Sequence, residues 1–158
     1  KRKKSSGGVV IDGVEGLAVK FAKCCNPLPG DPVIGFITKG YGISIHKQDC
    51  PNVISGLNNP IYANRWLNAR WETAVSASNE FEAQIRIVAQ PDIRLIADIT
   101  MALADMKVSL LGITTRNRDD CTIVELAVTC RNLDHFRSIM SRLRSVPKVE
   151  SVSRGYTA

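Results

Sequence analysis

Aromatic side chains are scarce, at 6% of 158 residues. The two most strand-like runs of the second half, QIRIVA and CTIVELAV, carry none. That excludes reading bases by stacking on a central sheet face. No apolar run approaches the roughly 18–20 residues of a membrane-crossing helix, and no membrane partner is expected. The charged start has no apolar segment behind it and does not read as a signal peptide. Neither G-x-x-x-x-G-K-[ST] nor G-x-G-x-x-G occurs, so NPLPGD and KGYG read as turns rather than phosphate loops. No carboxylate pair or acid–base cluster stands out, and nothing in the residues alone marks an enzyme.

What remains is a globular composition, 44% hydrophobic and 23% charged. Of the net charge of +6, Lys1, Arg2, Lys3 and Lys4 supply four. This basic arm is either a weak nucleic-acid contact or a solvated linker. Five cysteines are an odd number for a disulfide framework, and a reducing, cytoplasmic setting is the expectation. Cys24, Cys25 and Cys50 crowd into one short stretch with His46.

Residues 1–8, KRKKSSGG, read as a linker. A small Cys/His-containing, β-rich domain is expected over 9–75. It holds two short strands in VVIDGVEGLAVKFA, a turn cluster NPLPGDP, and a hairpin in VIGFITKGYGISIH. A short helix opens at Asp49–Pro51 and runs through Leu57. Residues 58–80 read as polar connectors interrupted by a strand, RWLNARWE, with a linker at 76–80. The rest, 81–158, contains a repeat. Ala83, Ile85 and Ile87 alternate as in a half-buried strand, and a shift of 41 brings them onto Val124, Leu126 and Val128. Ile96, Ile99, Leu103 and Met106 mark one helix face, matched 40 residues on by Phe136, Ile139, Leu143 and Val146. Asp92 and Asn132 are the expected N-caps. Each half closes with a strand, 108–116 and 149–154, and the loop NRDD at 117–120 joins the halves. Right-handed crossovers then give an α+β, ferredoxin-like βαββαβ layer: four antiparallel strands backed by two helices.

The strongest constellation is Cys24 and Cys25 with His46 and Cys50. Thiolates and an imidazole suit tetrahedral zinc in a structural role. His46 and Cys50, four apart, share a face if they lie on a helical turn. Adjacent Cys24 and Cys25 reach one ion only if the chain turns there. Two other readings stand beside this one: buried thiols with a surface histidine, and a Cys–His nucleophile, for which no third orienting residue is evident. Lys20, Lys23, Lys39 and Lys47, with Tyr41, form either an RNA-facing basic patch or ordinary solvated side chains. His135 is expected exposed, and Cys121 and Cys130 structural.

The stretch LAVKFAKCCNPLPGDPVIGFITKGYGISIHKQDCPNV resembles the long RelA/SpoT homologues, the (p)ppGpp synthetases and hydrolases of the bacterial stringent response. AKCCNP, PGD, GFITKG, GISIH and DCPN carry the resemblance. It implies a zinc-finger-like (ribosome-intersubunit) domain followed by an ACT domain, with the family's cysteine and histidine positions falling on Cys24, Cys25, His46 and Cys50. It also implies a regulatory fragment without its own catalysis. Its partners would be ribosomal RNA, uncharged tRNA and the parent's catalytic domains, with homodimerisation through the ACT domain. A branched-chain amino acid is the implied ligand of the ACT domain, near Asp92, Ile93 and Arg94. Two positions depart from the family pattern: Tyr41 stands where a G-R-G turn has Arg, and Arg94 stands where the ACT pattern has glycine.

Overall fold

The computed structural model describes residues 8–13, 18–40, 42–72 and 80–155. The chain divides into two units, Lys1–Asn79 and Glu80–Thr157. The residues expected to be linkers, 1–7 and most of 76–80, lie outside the described set, as does Tyr41.

Alternation builds the first unit. Strands β1 (Val9–Ile11), β2 (Val19–Phe21), β3 (Val33–Ile37), β4 (Ile43–Lys47) and β5 (Trp66–Trp71) form one sheet in the order β1-β5-β3-β4-β2. All pairings are antiparallel except β2 with β4. On β4, Ile43 and Ile45 point to one face, where they pack with Val9, Ile11 and Val33. Period-two geometry sends Ser44 and His46 to the other face. There a second cluster forms from Ala22, Cys25, Cys50 and Val53, flanked by Ile34 and Trp66. Helix α1 (Pro51–Leu57) starts on a proline, whose missing N–H costs nothing at a helix start. The connector before β5 is more ordered than expected: Pro60–Arg65 is a 3₁₀ turn, opened by Asn59 Oδ1 accepting the Ile61 N–H at 3.1 Å. NPLPGD is a structural turn. Asp31 Oδ2 accepts the Leu28 N–H at 2.8 Å, and Gly30 takes φ 111°, which glycine adopts freely.

The second unit has the expected layer. Strands β6 (Phe81–Ala89), β7 (Leu110–Arg118), β8 (Cys121–Cys130) and β9 (Val149–Gly155) lie in the order β7-β8-β6-β9, all antiparallel. Helices α2 (Leu95–Asp105) and α3 (Leu133–Arg144) supply the apolar stripes that pair with them. Ile85, Ile87, Val124, Leu126, Ile99, Phe136, Ile139 and Leu143 are all at most 1% exposed.

Several details differ from expectation. Ile96 is 37% exposed; the buried stripe of α2 runs through Leu95, Ile99, Ala102 and Leu103. Asp92 does not cap α2, whose N-cap is Arg94. The Asp92 carboxylate accepts the Arg94 N–H at 2.7 Å, which closes the preceding turn instead. β7 extends through Arg118, so the NRDD loop shrinks to Asp119–Asp120, with Asp119 at φ 54°. Asn132 does cap α3, accepting the His135 N–H at 2.8 Å. No helix among the described residues is long and apolar enough to cross a membrane.

Candidate metal centre and basic surface

Three chain segments converge on one point. Cys24 and Cys25 sit in the turn after β2, where Asn26 takes φ 46° and its N–H closes on the Ala22 carbonyl at 2.9 Å. This reversal lets adjacent sulfurs face the same volume. His46 comes from β4 and not from a helical turn; Cys50 stands just ahead of α1. The helical explanation of their spacing is therefore replaced: a strand end and a two-residue turn bring them together.

The four donor atoms lie within 4.8 Å of one another. Cys24 Sγ is 3.6 Å from Cys50 Sγ, 4.0 Å from Cys25 Sγ and 3.4 Å from His46 Nδ1, and Cys25 Sγ is 3.9 Å from that nitrogen. A tetrahedral zinc with bonds of about 2.3 Å to sulfur sets its ligands about 3.8 Å apart. The residues therefore fit a closed, four-ligand zinc site. Two supporting contacts add to the fit. His46 Nε2 lies 3.2 Å from Ser44 Oγ, which leaves Nδ1 to face the sulfurs. The Lys47 backbone N–H donates to Cys25 Sγ at 3.3 Å, as it would to a thiolate.

Electrostatics agree. Burial depresses the His46 pKa, so the imidazole is a neutral ligand at neutral pH. Without an ion, burial and the neighbouring cysteines push the Cys25 thiol up to about 12, against the lowering effect of the Lys47 N–H. A buried thiol held protonated is a poor nucleophile, so Cys25 is unsuited to that role. Ser44 and the Lys47 amide escaped the sequence reading. The alternation that turns Ser44 to the His46 side was the available signal.

The lysines separate. Lys20, Lys23 and Lys39 are exposed. Lys20 lies on β2, and Lys39 in the hairpin bend beside it; Lys23 sits next to Cys24. Lys47 does not join them: it is 6% exposed and its Nζ pairs with Asp49 at 3.3 Å, because its place on β4 turns it to the core side. In the second unit, Asp92 and Ile93 line a groove of about 660 Å³ with Ile96, Thr115, Asn117 and Thr122. Arg94 is not among its lining residues. His135 is half-buried rather than exposed, its Nδ1 accepting the Arg131 N–H at 3.0 Å.

A β-sheet domain with a closed Cys/His cluster, followed by a βαββαβ layer, makes this a two-module chain. Residues 9–72 match the RelA/SpoT RIS domain family, and residues 77–154 an ACT domain family. The chain belongs to the RelA/SpoT homologues. It is 36% identical to a GTP pyrophosphokinase of Streptomyces coelicolor over 98% of this chain and 18% of the relative. It is also 36% identical to the bifunctional (p)ppGpp synthase/hydrolase RelA of Mycobacterium tuberculosis, over 93% of this chain and 19% of that protein. The chain thus spans about a fifth of the length of these curated relatives. Its second unit is similar to the ACT domain crystal structure from the GTP pyrophosphokinase of Chlorobium tepidum, at 26% identity and TM-score 0.43, over 48% of this chain and 99% of that one.

Proposed function

We propose that this chain is the C-terminal sensing region of a stringent-response GTP pyrophosphokinase/(p)ppGpp hydrolase. It docks on ribosomes that hold uncharged tRNA and relays that state to the parent's catalytic domains, without turnover of its own. The observation that carries this reading is the four-donor cluster at tetrahedral spacing, bordered by the exposed Lys23, within a RIS-family domain. Cys24, Cys25, His46 and Cys50 hold structural zinc, which stiffens a domain with only small apolar clusters. Lys20, Lys23 and Lys39 supply the phosphate contacts.

The test measures binding of the purified chain to ribosomes with and without deacylated tRNA in the A site, across a salt series. The expected result is a preference for the tRNA-bearing ribosomes. Lys20→Gln/Lys23→Gln/Lys39→Gln should weaken binding and flatten the slope of log K against log salt by about 2–3. Equal binding to both ribosome states, with an unchanged slope in the variant, would refute it.

A second reading, amino-acid-responsive dimerisation through the ACT unit, is favoured by the groove at Asp92–Ile93 and by β7. That strand is a nine-residue sheet edge, exposed throughout, with Leu111 at 55%. Open edges of this kind pair readily with another strand. Calorimetry with valine, leucine and isoleucine, alongside light scattering, checks it. Flat titrations and a monomer at all concentrations would dismiss it.

A further inference from the structure

The same cluster contains a sulfur pair with properties that metal binding alone does not require. Cys24 is its only part-exposed cysteine; Cys25 and Cys50 are 0% and 2% exposed. Cys24 Sγ lies 3.6 Å from Cys50 Sγ. A disulfide needs the sulfurs about 2.05 Å apart, so side-chain rotation must close about 1.5 Å. Cys24 lies in a turn and Cys50 just ahead of a helix, so neither is locked in a strand ladder. Cys25 and Cys50 also lie within 4.8 Å of each other, but both are buried, so the part-exposed Cys24 is the sulfur an oxidant meets first. Cys25 is farther from Cys24, at 4.0 Å, and a bond between adjacent residues strains the peptide joining them. Cys121 and Cys130 stand at opposite ends of β8, roughly 30 Å apart at strand rise, and cannot pair with each other.

We infer that Cys24 and Cys50 form a peroxide-driven, reversible disulfide, a modification site that competes with metal for the cluster. The Cys24 sulfur attacks one peroxide oxygen, the O–O bond breaks, and the leaving hydroxide takes a proton to become water. The Cys50 sulfur then attacks the resulting sulfenic sulfur, the S–O bond breaks, and a second water departs. Two thiols lose two electrons and two protons, and one peroxide is reduced to two waters. Only Cys25 and His46 remain as donors, too few for a closed zinc site.

The experiment uses the whole chain, stripped of metal, exposed to hydrogen peroxide, alkylated and mapped by peptide mass. Free thiols should fall from five to three. The Cys24 and Cys50 peptides should be joined, and dithiothreitol should separate them. Cys25→Ser should keep the link; Cys50→Ser should lose it and accumulate sulfinic acid at Cys24. Unjoined cluster cysteines, a Cys24–Cys25 or Cys25–Cys50 link, or cross-linked chains would overturn the inference, and the wild-type map decides this even if a variant misfolds. The loss of zinc uptake on oxidation rests on the zinc reading above. If the reduced chain takes up no zinc, that reading fails while the mapped link still stands.

Discussion

The two units meet the problem of a small core in different ways. In the Glu80–Thr157 unit, one face of a four-stranded sheet and two helix stripes close on each other, with Phe136, Leu126, Ile87 and Ile99 fully buried. Among the described residues of the Lys1–Asn79 unit the interior divides into two small clusters on opposite faces of the sheet, and two of the four buried residues in one of them are cysteines. A core of that size contributes little by area, and metal ligation is the usual remedy. If the cluster holds zinc as proposed, the first unit owes its order to that ion, and the second to its apolar pattern.

The most severe way to break this contrast is to load the cluster with zinc and then remove it. Zinc at about 1,000 times its Kd stabilises its unit by about 4 kcal/mol. Chelation, or Cys50→Ala, should therefore lower the melting transition of the first unit and leave that of the second in place. Scanning calorimetry reads both transitions. Affinity for zinc should also rise with pH, because the ion must displace protons that burial holds on Cys25. The converse variant is Leu143→Ala, which empties a fully buried site on α3. It should cost the second unit about 2–5 kcal/mol and leave zinc uptake untouched. A single transition that responds to both changes would erase the distinction.

A smaller effect probes how the cysteine-bearing face is packed. A Cβ on Gly56 would lie 2.7 Å from Trp66 Cζ2. The indole cannot easily yield, because it packs on the cysteine cluster and tilts against Phe36 at 4.6 Å between ring centres. Gly56→Ala should destabilise the first unit by about 1–3 kcal/mol through overpacking. The better helix propensity of alanine offsets about 1 kcal/mol of that. Urea midpoints followed by tryptophan fluorescence measure the outcome; a stabilised variant would mean that the ring moves freely.

How legible each unit was follows from the same contrast. Period-two and helical spacing state a sheet–helix layer directly, so Ile85, Val124, Phe136 and Leu143 were readable as core before any coordinates. The misplacement of Ile96 came from choosing its side of the stripe over Leu95, one residue away on a helix that begins at Leu95. Asp92 was read as a cap because an acidic residue before an apolar run serves two kinds of turn equally well. In the first unit the residue types announced the donors, but their convergence depends on a strand, a left-handed Asn26 and a helix start, none of which spacing alone encodes. Lys47 shows the same limit: strand parity, which outranks charge there, carried it inward to Asp49.

The smallest effect sharpens the comparison from the other side, by testing whether the second unit senses pH without any metal. His135 Nδ1 accepts the Arg131 N–H, which requires that nitrogen to be unprotonated. Burial, and then the charge of Arg131, lower its pKa from the ordinary 6.5. The folded state thus binds this proton less tightly than the unfolded chain does. The associated stability is present above the ordinary value and is lost as pH falls through the lowered one. The urea midpoint of the second unit should decline between pH 7.5 and 5, and His135→Gln should flatten that decline. Carboxylates titrate chiefly below this window, so the difference between the two chains isolates the imidazole. Parallel curves would show that the Arg131 contact adds nothing to stability, leaving the start of α3 to depend on the Asn132 cap alone.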